Sequence, residues 1–457
     1  MTQKNIIHHV QIFFQKQKVT LAAICVAAML IVIQGLYFIR TVGPLTLPDP
    51  GMHVLGSYAL ATGQSFNPTI KTLDEYGNER STQILTGDAS YLDLPEVTNA
   101  LISTIIGNGD LTALQDSQKE LQKSISEQKQ GTTYTLPYDE GSTESTTSFN
   151  RATQYFPLSW LPSAIGVKCG LILHLDGYSA YQLGRISNLM IFLGLTSLSI
   201  ALIPKMKSIL VLLASFPTTV FCASSLMSDA FIIGLCMLSV SLTLRCIAKE
   251  SFSVLELGVI SGLAAMITVV KASYLPICLG YLLCSKKTLS TKRKIYATIP
   301  IILAIIIYMV WNHIYGDLIA TANMHDNAVY LLQHPVQGIV RILLAIALLP
   351  SLLSQMSGAY IFPIMLGCLI TFAHIFNSKN NVQTTFSKRF VYGAGFAAFA
   401  SLVLIFLFLL VSWNNTNSES ALTWILGFQG RYLLPIVPLV CYVQTLNGPF
   451  SKLEKSQ

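Results

Sequence analysis

Four short stretches of this sequence carry residue types at spacings that chemistry can use. In Leu47-Pro48-Asp49-Pro50-Gly51-Met52-His53, a carboxylate and an imidazole stand four residues apart. At the start of a helix they lie on one face, suited to a metal ion, an acceptor hydroxyl or a proton transfer. Without chemistry, Asp49 is a helix N-cap and His53 an interfacial side chain. In Ser224-Ser225-Leu226-Met227-Ser228-Asp229-Ala230, Asp229 stands where one apolar run ends and the next begins. That position suits an ordinary N-cap and also a functional carboxylate, because a helix N-terminus favours negative charge. Lys271 closes an apolar run and precedes Ala272-Ser273-Tyr274-Leu275-Pro276. It either snorkels to the membrane interface or holds a lipid phosphate as a point charge. In Phe428-Gln429-Gly430-Arg431-Tyr432, the arginine offers bidentate contact to phosphate and the glycine lets backbone approach closely. An interfacial Arg/Tyr anchor is the structural alternative. Arg185, Asn188, Arg341, Asp317, His325, Asp326 and His334 are weaker candidates, since polar loops hold such residues by default.

Other chemistries lack their usual signatures. The sequence has no P-loop, no Gly-x-Gly-x-x-Gly, no His-Glu-x-x-His and no Gly-x-Ser-x-Gly. Nucleotide hydrolysis, zinc proteolysis and serine hydrolysis therefore have no motif to rest on. The nine cysteines include no Cys-x-x-Cys pair and none between residues 40 and 157, so that stretch has no disulfide of its own.

The elements that must position these residues are membrane helices. Hydrophobic residues make up 52% of the 457 and charged residues 11%, whereas soluble domains carry roughly 25% charge. Apolar runs reach the roughly 20 residues needed to cross about 30 Å of hydrocarbon. The expected crossings are 19-39, 182-203, 208-226, 229-248, 253-270, 272-285, 295-314, 358-377, 390-412 and 431-447. Two further apolar stretches, 158-173 and 336-354, are expected as interfacial or re-entrant helices, with twelve crossings as the alternative. The first run follows Lys4, Lys16 and Lys18, exceeds a signal core and lacks a small-x-small cleavage site, so it reads as an uncleaved anchor.

Charge supports this threading. Residues 40 to 157 hold 14 of the 22 acids and 7 of the 29 bases, about −7, which leaves about +14 for the rest. Short cytoplasmic loops collect Lys and Arg while a long exported loop need not. The clusters Lys205/Lys207, Arg245/Lys249, Lys286 through Lys294, Lys379/Lys388/Arg389 and Lys452/Lys455 then share the side of the N-terminus. The expected organisation is a cytoplasmic segment 1-18, a first helix 19-39, an extracytoplasmic loop 40-157, a polytopic domain 158-447 and a cytoplasmic tail 448-457. The loop contains a polar insert at 108-150 with one short helix at 111-129. Both termini are cytoplasmic, the candidate site faces outward, and nucleic acid is not an expected partner.

Over most of its length the chain resembles a bacterial polytopic membrane family catalogued as domain of unknown function 2142. The matching stretches are Pro48 to His53, Pro157-Leu158-Ser159-Trp160-Leu161-Pro162, Gly184-Arg185-Ile186-Ser187-Asn188, Ser224 to Asp229, Lys271 to Pro276, and Gln429 to Pro435. That family is similar to the C-type glycosyltransferases. The resemblance implies an all-α integral membrane protein of about 10-12 transmembrane helices with a large extracytoplasmic first loop. It also implies a polyprenyl-phosphate-linked sugar donor and transfer on the outer face of the bacterial cell membrane. By position, Asp49 is the first-loop acid with His53 beside it, and Asp229 a second acid. Lys271, Tyr274, Arg431 and Tyr432 fall to the donor phosphate, and a divalent metal ion, with Asp49 as its candidate ligand, is the one cofactor in view. One departure stands out: where the family pattern reads Pro-Asp-Glu-x-x-His, Pro50 replaces the glutamate and removes half of a paired carboxylate.

The leading expectation is thus a glycosyltransferase that moves a sugar from a polyprenyl-phosphate donor to a surface glycan or a lipid of the cell envelope. The alternatives are a lipid-linked glycan transporter, a polysaccharide polymerase and a non-catalytic envelope-assembly partner. A transporter needs polar residues along the whole membrane depth, and the candidate charges cluster at one face.

Overall fold

The computed structural model describes residues 3–41, 50–73, 79–88, 91, 145–149, 155–204, 207–315, 324–348, 388–413 and 428–441. The elements are α1 (Gln3–Thr41), α2 (Pro50–Thr62), β1 (Thr69–Leu73), β2 (Glu79–Asp88), β3 (Ser145–Phe149), α3 (Leu161–Ile172), α4 (Gly177–Leu202), α5 (Lys207–Ala214), α6 (Pro217–Ala223) and α7 (Asp229–Ala248). There follow α8 (Val254–Lys271), α9 (Leu275–Cys278) between two 3-10 turns, α10 (Thr291–Tyr315), α11 (Met324–Gln333), α12 (Pro335–Ala347) and α13 (Lys388–Trp413).

Among the described residues six helices are long and apolar enough to cross a membrane: Gln17–Arg40, Gly177–Leu202, Asp229–Ala248, Val254–Leu283, Thr291–Tyr315 and Phe390–Ser412. The count is seven if Asp326–Gln333 and Pro335–Ala347 form one span. The protein is a multi-pass helical membrane protein. Ile302, Leu303, Ile306 and Met309 on α10 face outward, as does Ile33 on α1, a placement that suits hydrocarbon and not water. By contrast 89% of the apolar window of α7 is buried, so this helix is the axis on which the others pack.

The stretch 208-226 is two short helices and not one. Pro217 lacks an N–H and has a pre-set φ, so it starts α6 and ends the hydrogen-bond ladder of α5. The Ser215 carbonyl at the break accepts a hydrogen bond from Gln34 Nε2 of α1 at 3.0 Å. A backbone group stranded within the bilayer thereby keeps a partner.

Val254–Leu283 is continuous in sequence, yet the chain reverses within it. Lys271, at φ −158° and ψ 85°, has extended backbone that ends α8. Its side chain meets Asp229, the first residue of α7. Gly280 instead lies against Thr243 and Phe390, and Gly393 against Leu283. Thr243 is about 21 Å along α7 from Asp229 at 1.5 Å rise per residue. Residues 254–271 and 272–283 are therefore two arms of a hairpin with Lys271 at its tip.

Of the other expected crossings, 358-377 lies outside the described residues and 431-447 lies partly outside them. Gly430–Leu433 is a 3-10 turn and helix begins only at Val437, so Arg431 sits in a tight turn instead of opening a long helix. The stretch 158-173 contains α3, twelve residues, and 336-354 contains α12, thirteen residues bent by 102° from α11. Neither helix is long enough to span hydrocarbon alone. Helix α3 packs antiparallel on the first half of α4 through small residues: a Cβ on Gly166 would lie 2.1 Å from the Leu183 carbonyl oxygen, and one on Gly170 would lie 2.5 Å from Ala180 Cβ.

The sequence reading named no strands, but the loop after α1 contains an antiparallel sheet in the order β1-β2-β3. Thr69 pairs with Gln83 and Ile84 with Phe149. The last residues of the polar insert 108-150 thus supply an edge strand. The rest of that insert, the expected helix 111-129 and Asp49 itself lie outside the described residues. Leu85 is fully buried against α2 and α4, in a cluster with Tyr58, Tyr91 and Ala180. Gln83 Nε2 donates to the carbonyls of Ser65 and Asn67, and Tyr181 donates to the Tyr91 carbonyl at 2.8 Å. The sheet is held onto the helices that carry the candidate site.

Gly166→Leu should abolish assembly of the α3–α4 pair, because the obstacle is backbone and cannot swing aside. Gly258→Ala, where an added Cβ meets nothing within 4 Å, should leave stability unchanged or raise it by about 1 kcal/mol through helix propensity. Monodisperse yield and unfolding midpoint in detergent check both.

Candidate functional site

The site is built on the loop that precedes α7. Asn188 Nδ2, buried on α4, donates to the carbonyls of Cys222 (3.3 Å), Ser225 (2.8 Å) and Met227 (3.1 Å). Arg185, one turn earlier, donates through Nε to the Ser224 carbonyl at 2.6 Å and through Nη2 to the Phe38 carbonyl at 3.0 Å. Phe38 lies in the last turn of α1, where carbonyls have no helical partner. The backbone of Gly184 packs at the same point, since a Cβ there would meet Leu226 at 2.9 Å. The stretch Gly184-Arg185-Ile186-Ser187-Asn188 therefore shapes the turn from Ser224 to Ser228, and neither Arg185 nor Asn188 needs chemistry to account for it.

That turn delivers Asp229 into the first turn of α7, where the helix dipole favours its charge. Arg431 Nε lies 3.0 Å from Asp229 Oδ2, and Lys271 Nζ lies 3.4 Å from Oδ1. Lys271 also stands over the Tyr432 ring at 4.1 Å and near the Tyr274 ring at 5.8 Å. Such cation–π contacts stabilise a cation away from water. Tyr274 donates to the Tyr432 carbonyl at 2.8 Å and so ties the hairpin tip to the Gly430–Leu433 turn. Five sequence candidates, Asp229, Lys271, Tyr274, Arg431 and Tyr432, thus form one cluster from three distant parts of the chain. One carboxylate faces two cations, leaving a net positive charge among these residues.

Arg431 is 8% exposed; burial, the largest influence on its pKa, lowers it, but Asp229 together with Tyr432, Cys222 and Tyr155 outweighs that burial and raises it, so it stays protonated. Its Nε–H is not aligned on the carboxylate despite the short distance. Nε and Nη1 have no hydrogen-bond partner among the described residues, and neither does the buried Oε1 of Gln429. Gln429 was not singled out from the sequence. Its position beside a Gly-Arg pair was the available signal.

His53 joins the same field from α2. It is 8% exposed and lies edge-on to Trp160 at 5.1 Å, while Gly56 leaves room for that indole. Burial pushes the imidazole pKa down to about 4, with Asp229 opposing and Arg431 and Lys271 reinforcing the shift. The ring is neutral at pH 7, and its Nδ1 has no partner among the described residues. Ser57 and Ser163 share a hydrogen bond at 2.7 Å, which fixes α2 against α3 beside it.

An open cleft starts at this cluster. Lys271, Ser273, Tyr432, Tyr155 and Phe156 line its polar end, and Tyr308, Asn312, Ile405, Phe408 and Leu409 continue it between α10 and α13. Arg341 is buried on α12, whereas Asp326 and His334 are exposed. Asp317 and the side chain of His325 lie outside the described residues.

A divalent ion does not fit at Asp229, because two cations already occupy its oxygens and would repel a third positive charge. No group of three His, Cys, Asp or Glu side chains that could hold a metal occurs among the described residues.

The family model described as Predicted membrane protein (DUF2142) matches the sequence over residues 33–440. The chain belongs to this family. The DUF2142 match covers every residue of the cluster and, in sequence, the stretch 47–53 as well. Comparisons with curated proteins and with solved structures find no match.

Two outcomes follow for this DUF2142 protein. Asp229→Asn leaves the buried Arg431 and the half-buried Lys271 without a counter-charge and should cost about 3–5 kcal/mol. Adding Lys271→Met to that variant should recover part of the loss, as read by unfolding midpoints in detergent. Because the folded His53 pKa lies below its unfolded value, the unfolded chain takes up a proton first as pH falls. Stability should therefore drop between pH 6.5 and about 4, at about 1.4 kcal/mol per pH unit. His53→Gln should flatten this part of the pH profile.

Proposed function

We propose that the protein is an inverting glycosyltransferase. It takes a sugar from a polyprenyl-phosphate donor and passes it to a surface glycan or lipid on the outer face of the membrane. The observation that carries this reading is the excess of cations over carboxylate at the head of a cleft that runs between membrane helices. Such a cleft suits an amphipathic anion, with phosphate beside Lys271, hydrocarbon along Tyr308, Ile405, Phe408 and Leu409, and the buried Arg431 behind it on the shared Asp229.

In this mechanism an acceptor hydroxyl oxygen attacks the anomeric carbon from the side opposite the phosphate. Its proton passes to Asp49, or to the neutral imidazole of His53. The bond from the anomeric carbon to the phosphate oxygen breaks, and its electron pair leaves with the lipid phosphate. Lys271, with Arg431 behind it, meets the charge that grows on that oxygen. Asp229, engaged by both cations, holds them apart and oriented and does not act as base.

The test compares surface-glycan composition in cells carrying the intact protein, a deletion, Asp49→Asn or Lys271→Met, at equal membrane abundance. Loss of the same sugar substituent in all three altered strains is the expected result. If the deletion alters the glycan while both substitutions leave it intact, the non-catalytic partner becomes the better reading.

A further inference from the structure

We infer that the cleft takes its ligand sideways from the bilayer, between α10 and α13, and that the ring pair Tyr308–Phe408 is the threshold which the lipid tail crosses. This deepens the donor reading above and rests on it for the phosphate at Lys271. The two rings belong to different helices, yet both line the cleft, and they meet edge to face with centroids 6.4 Å apart. Phe408 is also 37% exposed, so one ring borders the cleft and the outside of the helix bundle at once. Tyr308 and Phe408 stand within two turns of the ends of their helices at Tyr315 and Trp413. Two turns are roughly 11 Å, which places the pair within one leaflet of a hydrocarbon layer about 30 Å thick. Met309 and Val310, next along α10, face outward, so hydrocarbon surrounds this threshold.

Other seams along α10 and α13 carry firmer contacts. Ser261 Oγ of α8 donates to the Ala297 carbonyl of α10, and Asn327 Nδ2 of α11 donates to the Val411 carbonyl of α13 at 2.8 Å. Near the end of α10, Trp311 is buried between Phe66 and Phe156, with centroids at 5.7 and 5.3 Å, and Phe156 itself lines the cleft. Three packed rings therefore stand at that end, where a single pair stands at the membrane side. An edge-to-face pair is worth only a few times thermal energy, and a ring at a helix surface changes rotamer quickly. A lipid that enters here keeps its tail in hydrocarbon throughout, whereas entry from water would expose it. The occupant is an anionic lipid whose headgroup stops at Lys271 and whose tail runs along Ile405 and Leu409 and out past Phe408.

The test is photocapture by the full-length protein in nanodiscs of phosphatidylcholine and phosphatidylglycerol. Phe408→p-benzoylphenylalanine puts a photoreactive ring at the threshold, and Met309→p-benzoylphenylalanine puts one on the lipid-facing side of α10 as the control. The probe is farnesyl phosphate with an alkyne at the far end of its tail, and the competitors are unlabelled farnesyl phosphate and farnesol. At position 408 the probe should be captured, and an excess of farnesyl phosphate should displace most of it. Lys271→Met should weaken that competition about tenfold, the size of one hydrogen bond to a charged group. At position 309 capture should not be competed and should not respond to Lys271→Met. Tyr308→p-benzoylphenylalanine reads the other side of the pair and is the reporter if the 408 variant does not assemble. The inference is overturned if capture at 408 behaves as at 309, since Phe408 then faces only bulk lipid. It is also overturned if position 408 captures the protein's own chain in place of the probe, since another segment then covers the mouth. Failure of the underlying reading looks different: farnesol competes at 408 as well as farnesyl phosphate does and Lys271→Met changes nothing, so a tail crosses there with no phosphate held at Lys271.

Discussion

The whole arrangement depends on a carboxylate placed between two cations at the buried end of a helix. An unpaired charge in so dry a place is costly, so Asp229, Lys271 and Arg431 are stable there only together. Each must therefore be delivered accurately, and much of the surrounding structure does that delivery. Asn188 and Arg185 shape the turn before Asp229, the hairpin of residues 254–283 brings Lys271 to its tip, and the 3-10 turn at Gly430–Leu433 presents Arg431. Aromatic rings fill the gaps between them with contacts that a cation tolerates.

The cluster was legible in the sequence because ionisable residues at the ends of apolar runs are conspicuous. Asp229, Lys271 and Arg431 stood out one at a time, but nothing in their spacing said that they meet. Arg185 and Asn188 were visible for the same reason, yet their work is to satisfy backbone carbonyls, which sequence does not display. The helices were legible from hydropathy, whereas their interruptions were not all so. Pro217 marks one break by its chemistry, but the break at the Ser215 carbonyl depends on Gln34, far away in the chain. The sheet escaped notice because β1 and β3 are short, the strands are rich in Ser, Thr and charge, and the pairing joins β2 to a strand more than fifty residues later. Among the described residues Leu85 is a fully buried apolar anchor of the sheet, and it finds its partners on α2, on α4 and at Tyr91.

His53 shows how burial redefines a residue. On a surface it would titrate near neutrality, but against Trp160 and beneath two cations it is held as a neutral ring. It can therefore accept or pass a proton without carrying a charge in its resting state. The fit of Gly56 to the same indole explains why a glycine belongs in that helix despite its weak helix propensity.

The order in which the cluster's members occur along the chain has a consequence for biogenesis. Asp229 and Lys271 are synthesised long before Arg431, so a nascent chain first holds a one-to-one pair with no surplus charge. Only when the segment from Phe428 to Leu434 docks does the second cation arrive and the cluster turn net positive. A protein truncated or misinserted before that point contains most of the described helices but holds a neutral Asp229–Lys271 pair. The net positive charge of the cluster thus depends on a turn made after the helices that carry Asp229 and Lys271.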